Sequence, residues 1–160
     1  MRAFSLRRRD APWEVVDHKV VQSVPTFYDD EGEDVDILRL SAAETRGTYV
    51  FELHSGGDKK RSSRNKGPVP SANAKASIAR TEAELNGRKA LIFARQQLLA
   101  EVAKRDYNVL LQEGWCLTVL RKGKRTRIEV QYNGRGALAC GKPAFRPRQP
   151  PFMDLLGSAA

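Results

Sequence analysis

A chain of 160 residues, 41% of them hydrophobic and 29% charged, is sized for one domain with a modest core and some length left over for segments outside it. The formal charge is +9, so an acidic partner is favoured over a basic one. No apolar run approaches the ~20 residues of a membrane-spanning helix, no CxxC pair offers a zinc site, and P-loop, GxGxxG and GxSxG signatures are all missing.

The placement of charge says more than its total. Arg2, Arg7, Arg8 and Arg9 form a basic arm over residues 1–12, which lacks the apolar core of a secretory signal. Residues 13–21, WEVVDHKVV, are rich in β-branched side chains and bounded by prolines, which predicts a strand. An acidic block follows, YDDEGEDVD, with Asp29, Asp30, Glu31, Glu33, Asp34 and Asp36. VDILRL (35–40) and TYVFELH (48–54) then alternate apolar and polar residues around SAAETRG, reading as two strands joined by a turn. In the second of these, Tyr49, Phe51 and Leu53 are the expected inward face.

Residues 56–71, GGDKKRSSRNKGPVPS, are the most one-sided passage, with Lys59, Lys60, Arg61, Arg64 and Lys66 against Asp58 alone. Pro68 and Pro70 delay helix entry to Ser71, a natural N-cap. From Ala72 to about Arg105 there is no proline, and Ile78, Leu85, Ile92 and Leu99 recur every seven residues, with Leu91, Leu98 and Val102 on a neighbouring face. Asn86-Gly87 predicts a kink or a break into two helices. Thr81, Arg88 and Arg95 stand where a second apolar seam would be needed, so the helix is expected to lie on a sheet rather than in a coiled coil.

The last third predicts strands at 115–120 (WCLTVL) and 126–132 (TRIEVQY) around a hairpin at RKGKR, then a type I′ turn at Asn133-Gly134 and a short strand at 136–140. The expected fold is α+β, an antiparallel sheet of about five to six strands ending in a C-terminal hairpin and meander, packed against one long or kinked helix. It occupies residues 13–140, with a proline-rich basic tail over 141–160.

Three chemistries are compatible with these residues. Lys59, Lys60, Arg61, Arg64 and Lys66 of the loop, with Arg121, Lys122, Lys124, Arg125 and Arg127 of the hairpin, suit the phosphate backbone of RNA or DNA, because tip side chains stay solvated and such contacts carry no base sequence. In the tail, Phe152, Leu155 and Leu156 fall at i, i+3 and i+4 with Met153 beside them, a pattern used to dock a protein partner or a second copy, as a subunit of a virion, secretion machine or ribonucleoprotein would. A metal-dependent nuclease is the remote alternative, drawing on Asp36, Glu52 and Glu129, although alternation puts Glu52 and Glu129 on solvent faces. His18 and His54 adjoin no nucleophile in sequence, and each is expected at a strand edge. The reading is therefore a non-enzymatic nucleic-acid-binding protein without metal or cofactor and without a membrane partner. Cys116 and Cys140 in apolar segments favour reduced thiols and an intracellular setting, cytoplasmic or in the nucleus or nucleoid.

Overall fold

The computed structural model describes residues 11–25, 36–54, 72–140 and 149–157, and of His54 and residues 72–81 the backbone alone. These form β1 (Glu14–Val24), β2 (Asp36–His54), α1 (Ala72–Ala103), β3 (Val109–Lys122), β4 (Arg125–Cys140) and a 3₁₀ turn (Met153–Leu156). The strands make one antiparallel sheet in the order β1-β3-β4-β2, with α1 on one face. The α+β class holds, with four strands among the described residues instead of five or six.

The excess strands vanish by fusion. Residues 36–40 and 48–54, the described parts of the two expected strands, do not pair with each other. Both belong to β2, and both pair with β4, from Asp36 opposite Cys140 to His54 opposite Arg125. The expected turn between them is an irregularity in one strand, between Leu40 and Glu44, where the Arg135 guanidinium donates to the Ser41 carbonyl at 2.6 Å. Likewise Asn133-Gly134 is not a turn. Asn133 pairs with Gly114 on one side and Arg46 on the other, inside an unbroken β4. Gly134 is there for space: a Cβ would lie 3.2 Å from Leu110 Cδ2. The hairpin at RKGKR does form, and Gly123 has φ 60 while Lys124 has no positive φ, the requirement of a type II′ turn.

The helix passes through Asn86-Gly87 without interruption, and Gly87 is buried against Leu117. Its buried stripe is Ala90, Leu91, Ala94, Arg95, Leu98 and Val102, while Leu85 of the seven-residue series is half exposed. The stripe rests on Trp115, Leu117, Ile128, Val130 and Tyr132 from the two central strands, with Tyr49, Phe51 and Leu53 of β2 at one side. At its C-terminus, Tyr107 N–H donates to the Val102 carbonyl and Asp106 N–H to that of Ala103, with Asp106 at φ 62, a Schellman closure with Asp in the usual glycine position. Arg39 of β2 donates to the exposed Arg105 and Asp106 carbonyls at 3.3 and 3.4 Å and stacks on Tyr107.

A charged cluster lies inside this apolar layer. Arg95 grips Glu113 with two hydrogen bonds, Nε to Oε2 at 2.6 Å and Nη2 to Oε1 at 2.8 Å, and the Tyr132 hydroxyl donates to Oε2 at 2.7 Å. Glu113 is fully buried and Arg95 nearly so. A bulge in β3 brings the carboxylate inward: Leu111 faces Arg135 and Gly114 faces Asn133, which leaves one residue extra, and Gln112 takes φ 52. Burial, and then the Glu113 carboxylate, push the Tyr132 phenol far above its ordinary value.

Removing one partner strands a charge in the core, so Arg95→Met is expected to cost about 3–5 kcal/mol in urea unfolding, and the double change Arg95→Met, Glu113→Leu clearly less than the sum of its parts. The raised phenol contributes stability that is present below the unfolded value of about 10 and is lost as pH rises beyond it, because the unfolded chain then ionises first. The urea midpoint should therefore fall above that pH, and fall less in Tyr132→Phe.

Candidate nucleic-acid interface

The pairing register gives the sheet two chemically different ends. At the hairpin end, β1 begins with Glu14 opposite Arg121 and β2 ends with His54 opposite Arg125, beside the Gly123-Lys124 turn. The basic arm therefore joins the sheet there, and the basic 56–71 passage leaves it there. At the other end, β2 begins with Asp36 opposite Cys140, so the acidic block leads in where the basic tail departs. Lys59, Lys60, Arg61, Arg64 and Lys66 themselves lie outside the described residues, as do the N-terminal arginines and the acidic block up to residue 35.

The five predicted hairpin residues divide by face. Leu117 and Val119 alternate toward the helix, so Arg121 shares their side, while Lys122 pairs with Arg125 on the face turned away. Arg121, Lys124 and Arg125 are exposed, and Lys122 and Arg127 are half-buried. Arg125 and Arg127 converge on one carboxylate, Glu52 of β2, with Nη2 to Oε2 at 3.0 Å and Nη2 to Oε1 at 2.9 Å. Arg127 also lies 3.7 Å from Glu129. The Arg127 and Arg125 hydrogen bonds hold the Glu52 carboxyl below the usual carboxylate range. Above both guanidinium groups sits Trp13, its ring centre 4.5 Å from Arg127 Cζ and 5.6 Å from Arg125 Cζ, within cation–π reach. Arg125 and Arg127 are thus already engaged by a carboxylate and an indole, which the order of residues along the chain does not reveal.

Glu52 and Glu129 lie on the outer face as alternation requires, and both meet arginine there. Asp36 is at the opposite end of the sheet from Glu52. Among the described residues no three His, Cys, Asp or Glu side chains gather as a metal site would need. His18 is on the edge strand β1, its Nδ1 2.9 Å from Thr118 Oγ1, with the Cys116 thiol near the ring. Cys116 faces Gln131, well along β4 from Cys140, and both thiols are free. No described helix is long and apolar enough to cross a membrane.

The C-terminal motif divides in a way the i, i+3, i+4 pattern did not anticipate. A 3₁₀ turn repeats every three residues, so Met153 and Leu156 point together into the core while Phe152 and Leu155 point together outward. The turn is fastened at two places: Trp115 Nε1 donates to the Pro151 carbonyl at 2.9 Å, and Lys19 Nζ to the Leu155 carbonyl at 2.9 Å. Half of the predicted docking motif therefore packs on its own domain instead of remaining available to a partner.

Sequence reasoning missed Trp13, Arg95 and Glu113. A charged residue at a helix position flanked by buried-face leucines was the available signal for Arg95; Glu113 gave none, because its inward turn depends on the bulge.

Comparison with protein-family models, with curated proteins and with solved structures finds no match for this chain.

Truncating Leu156 to Ala should cost about 2–5 kcal/mol in equilibrium unfolding, the range for a buried leucine. Phe152→Ala and Leu155→Ala should each stay within about 0.5 kcal/mol of the parent, as for surface positions.

Proposed function

We propose that this chain is a non-enzymatic nucleic-acid-binding protein that holds the phosphate backbone, with little sequence preference, at the hairpin end of its sheet. One observation carries the reading: antiparallel register puts the start of β1, the end of β2 and the basic 121–127 hairpin at the same end of the sheet, and in sequence the first two adjoin the basic stretches 1–12 and 56–71. Cations spread over a chain act singly, whereas cations delivered to one place sum their potential and release condensed counterions together. Lys59, Lys60, Arg61, Arg64 and Lys66 supply the loop contribution, and Arg121, Lys122, Lys124, Arg125 and Arg127 the hairpin contribution. Glu52 moderates the grip by competing with phosphate for Arg125 and Arg127.

A mixed-sequence 20-mer should bind with log affinity falling linearly in log salt, and reversal of Lys59, Lys60, Arg61, Lys124 and Arg125 should flatten the slope and lower affinity at least about tenfold. Unchanged affinity after reversal refutes the reading. Glu52→Gln should act the other way, raising affinity a few-fold at low salt by releasing two guanidinium groups.

A second reading, an adaptor or structural subunit of a larger assembly, draws on Phe152 and Leu155, which stand 54% and 45% exposed on a turn anchored from beneath. It expects self-association or a stable complex in sedimentation that Phe152→Ala with Leu155→Ala abolishes while the melting temperature is kept.

A further inference from the structure

The face of the sheet turned away from α1 has its own composition. Val20 of β1 and Val50 of β2 are 54% and 53% exposed there, and Thr48 and Gln131 are exposed beside them. The large strand aromatics do not share this face: Trp115, Tyr132, Tyr49 and Phe51 all belong to the layer packed with the helix. Trp13 is the aromatic residue on the outer side among the described residues, and the two arginines it covers hold it there.

A stacked indole backed by guanidinium groups is a platform for a planar ring, and Lys122, Arg125 and Arg127 of the hairpin lie at the same end of that face. Farther along β4 the surface dips into a depression of about 310 Å³ lined by Val20, Gln22, Arg46, Thr48, Cys116 and Gln131 among others. The volume is at the lower end of small-molecule sites, roughly 300–1,000 Å³. Neither the Gln131 amide nor the Thr48 hydroxyl has a side-chain hydrogen bond to another described residue, so both can serve the edge of a base. Arg127 and Gln131 share one face of β4, and at about 3.4 Å per residue the backbone of Gln131 lies roughly 14 Å along the strand from that of Arg127.

Phosphate clamp, stacking surface and polar hollow follow one another along a single open face. Duplex bases are stacked on one another and present no ring to an indole; bases of a single strand do. We infer that the outer face is a single-strand site, with one base of an RNA or DNA strand stacked on Trp13, its phosphates on the hairpin cations of that face, and a base about two nucleotides farther along in the depression at Thr48 and Gln131. This rests on the nucleic-acid reading above and narrows it from any phosphate backbone to an unpaired strand crossing the sheet.

The test uses the full chain with three fluorescein-labelled probes: a 12-mer of oligouridylate, a 12-mer of oligothymidylate, and a 12-base-pair duplex. The single strands should bind more tightly than the duplex. Trp13→Ala should weaken single-strand binding by about 5- to 150-fold and leave duplex binding within about twofold. Trp13→Phe should recover most of the loss, which separates stacking from folding, and matched melting curves confirm that each variant is intact. Gln131→Ala should weaken single-strand binding by a smaller factor. Oligouridylate above oligothymidylate assigns the site to RNA, the reverse order to DNA. Duplex binding as tight as single-strand binding, or equal loss on both probes in Trp13→Ala, overturns the single-strand site while leaving the phosphate-binding reading in place. Binding to none of the probes at low salt overturns both.

Discussion

The Arg95–Glu113 pair, closed by the Tyr132 hydroxyl, is the constraint on which the two-layer structure depends. A carboxylate taken out of water is costly, and the cost is offset only when good geometry and further donors satisfy its lone pairs. Here one donor group comes from the helix and the other from β4, while the carboxylate belongs to β3. Three elements are therefore tied at one point. Sliding the helix by a turn, or β3 by a residue, would leave a buried charge alone. Apolar packing of Leu91, Leu98 and Val102 tolerates such shifts far better, because leucine and valine contacts are not directional.

The bulge that aims Glu113 inward also sets the phase of β3. On one side of Gln112 the inward residue is Leu110, and on the other Glu113, Trp115, Leu117 and Val119 take that role. Leu110 then rests over Gly134, and Tyr107 over Gly136, so the glycine-rich stretch of β4 is the counterpart of the phase change. The same register that fixes the core fixes the ends of the sheet. Because every neighbouring pair is antiparallel, β1 begins and β2 ends at the hairpin end, and β2 begins and β4 ends at the other. Core polarity and surface polarity are thus two results of one pairing pattern.

Much of this was legible in the residues. The long helix, the hairpin around Gly123 and the inward faces at Tyr49, Phe51 and Leu53 follow from periodicities of 3.6 and 2, which burial on one side enforces. The number of strands was not legible. SAAETRG and Asn133-Gly134 carry turn chemistry, yet each lies within a strand, because β4 is 16 residues long and templates the whole of β2, itself 19 residues. Turn propensity is a local preference, and strand pairing on both sides of each segment outweighs it. Trp13 was unreadable for a similar reason: its arginine partners lie more than a hundred positions away.

Sequence alone determined the class of fold, the amphipathic helix, the sign and clustering of charge, and the two carboxylates held out of the core. Those properties depend on residue type and on spacing along a few turns or strand repeats. Tertiary structure decided which cations stand together, which are already engaged by Glu52, which half of the C-terminal motif enters the core, and that one indole lies on the sheet's outer face. Each of these is a matter of register between strands far apart in the chain, and register is set by the summed fit of the whole sheet and its one buried ion pair rather than by any stretch within it.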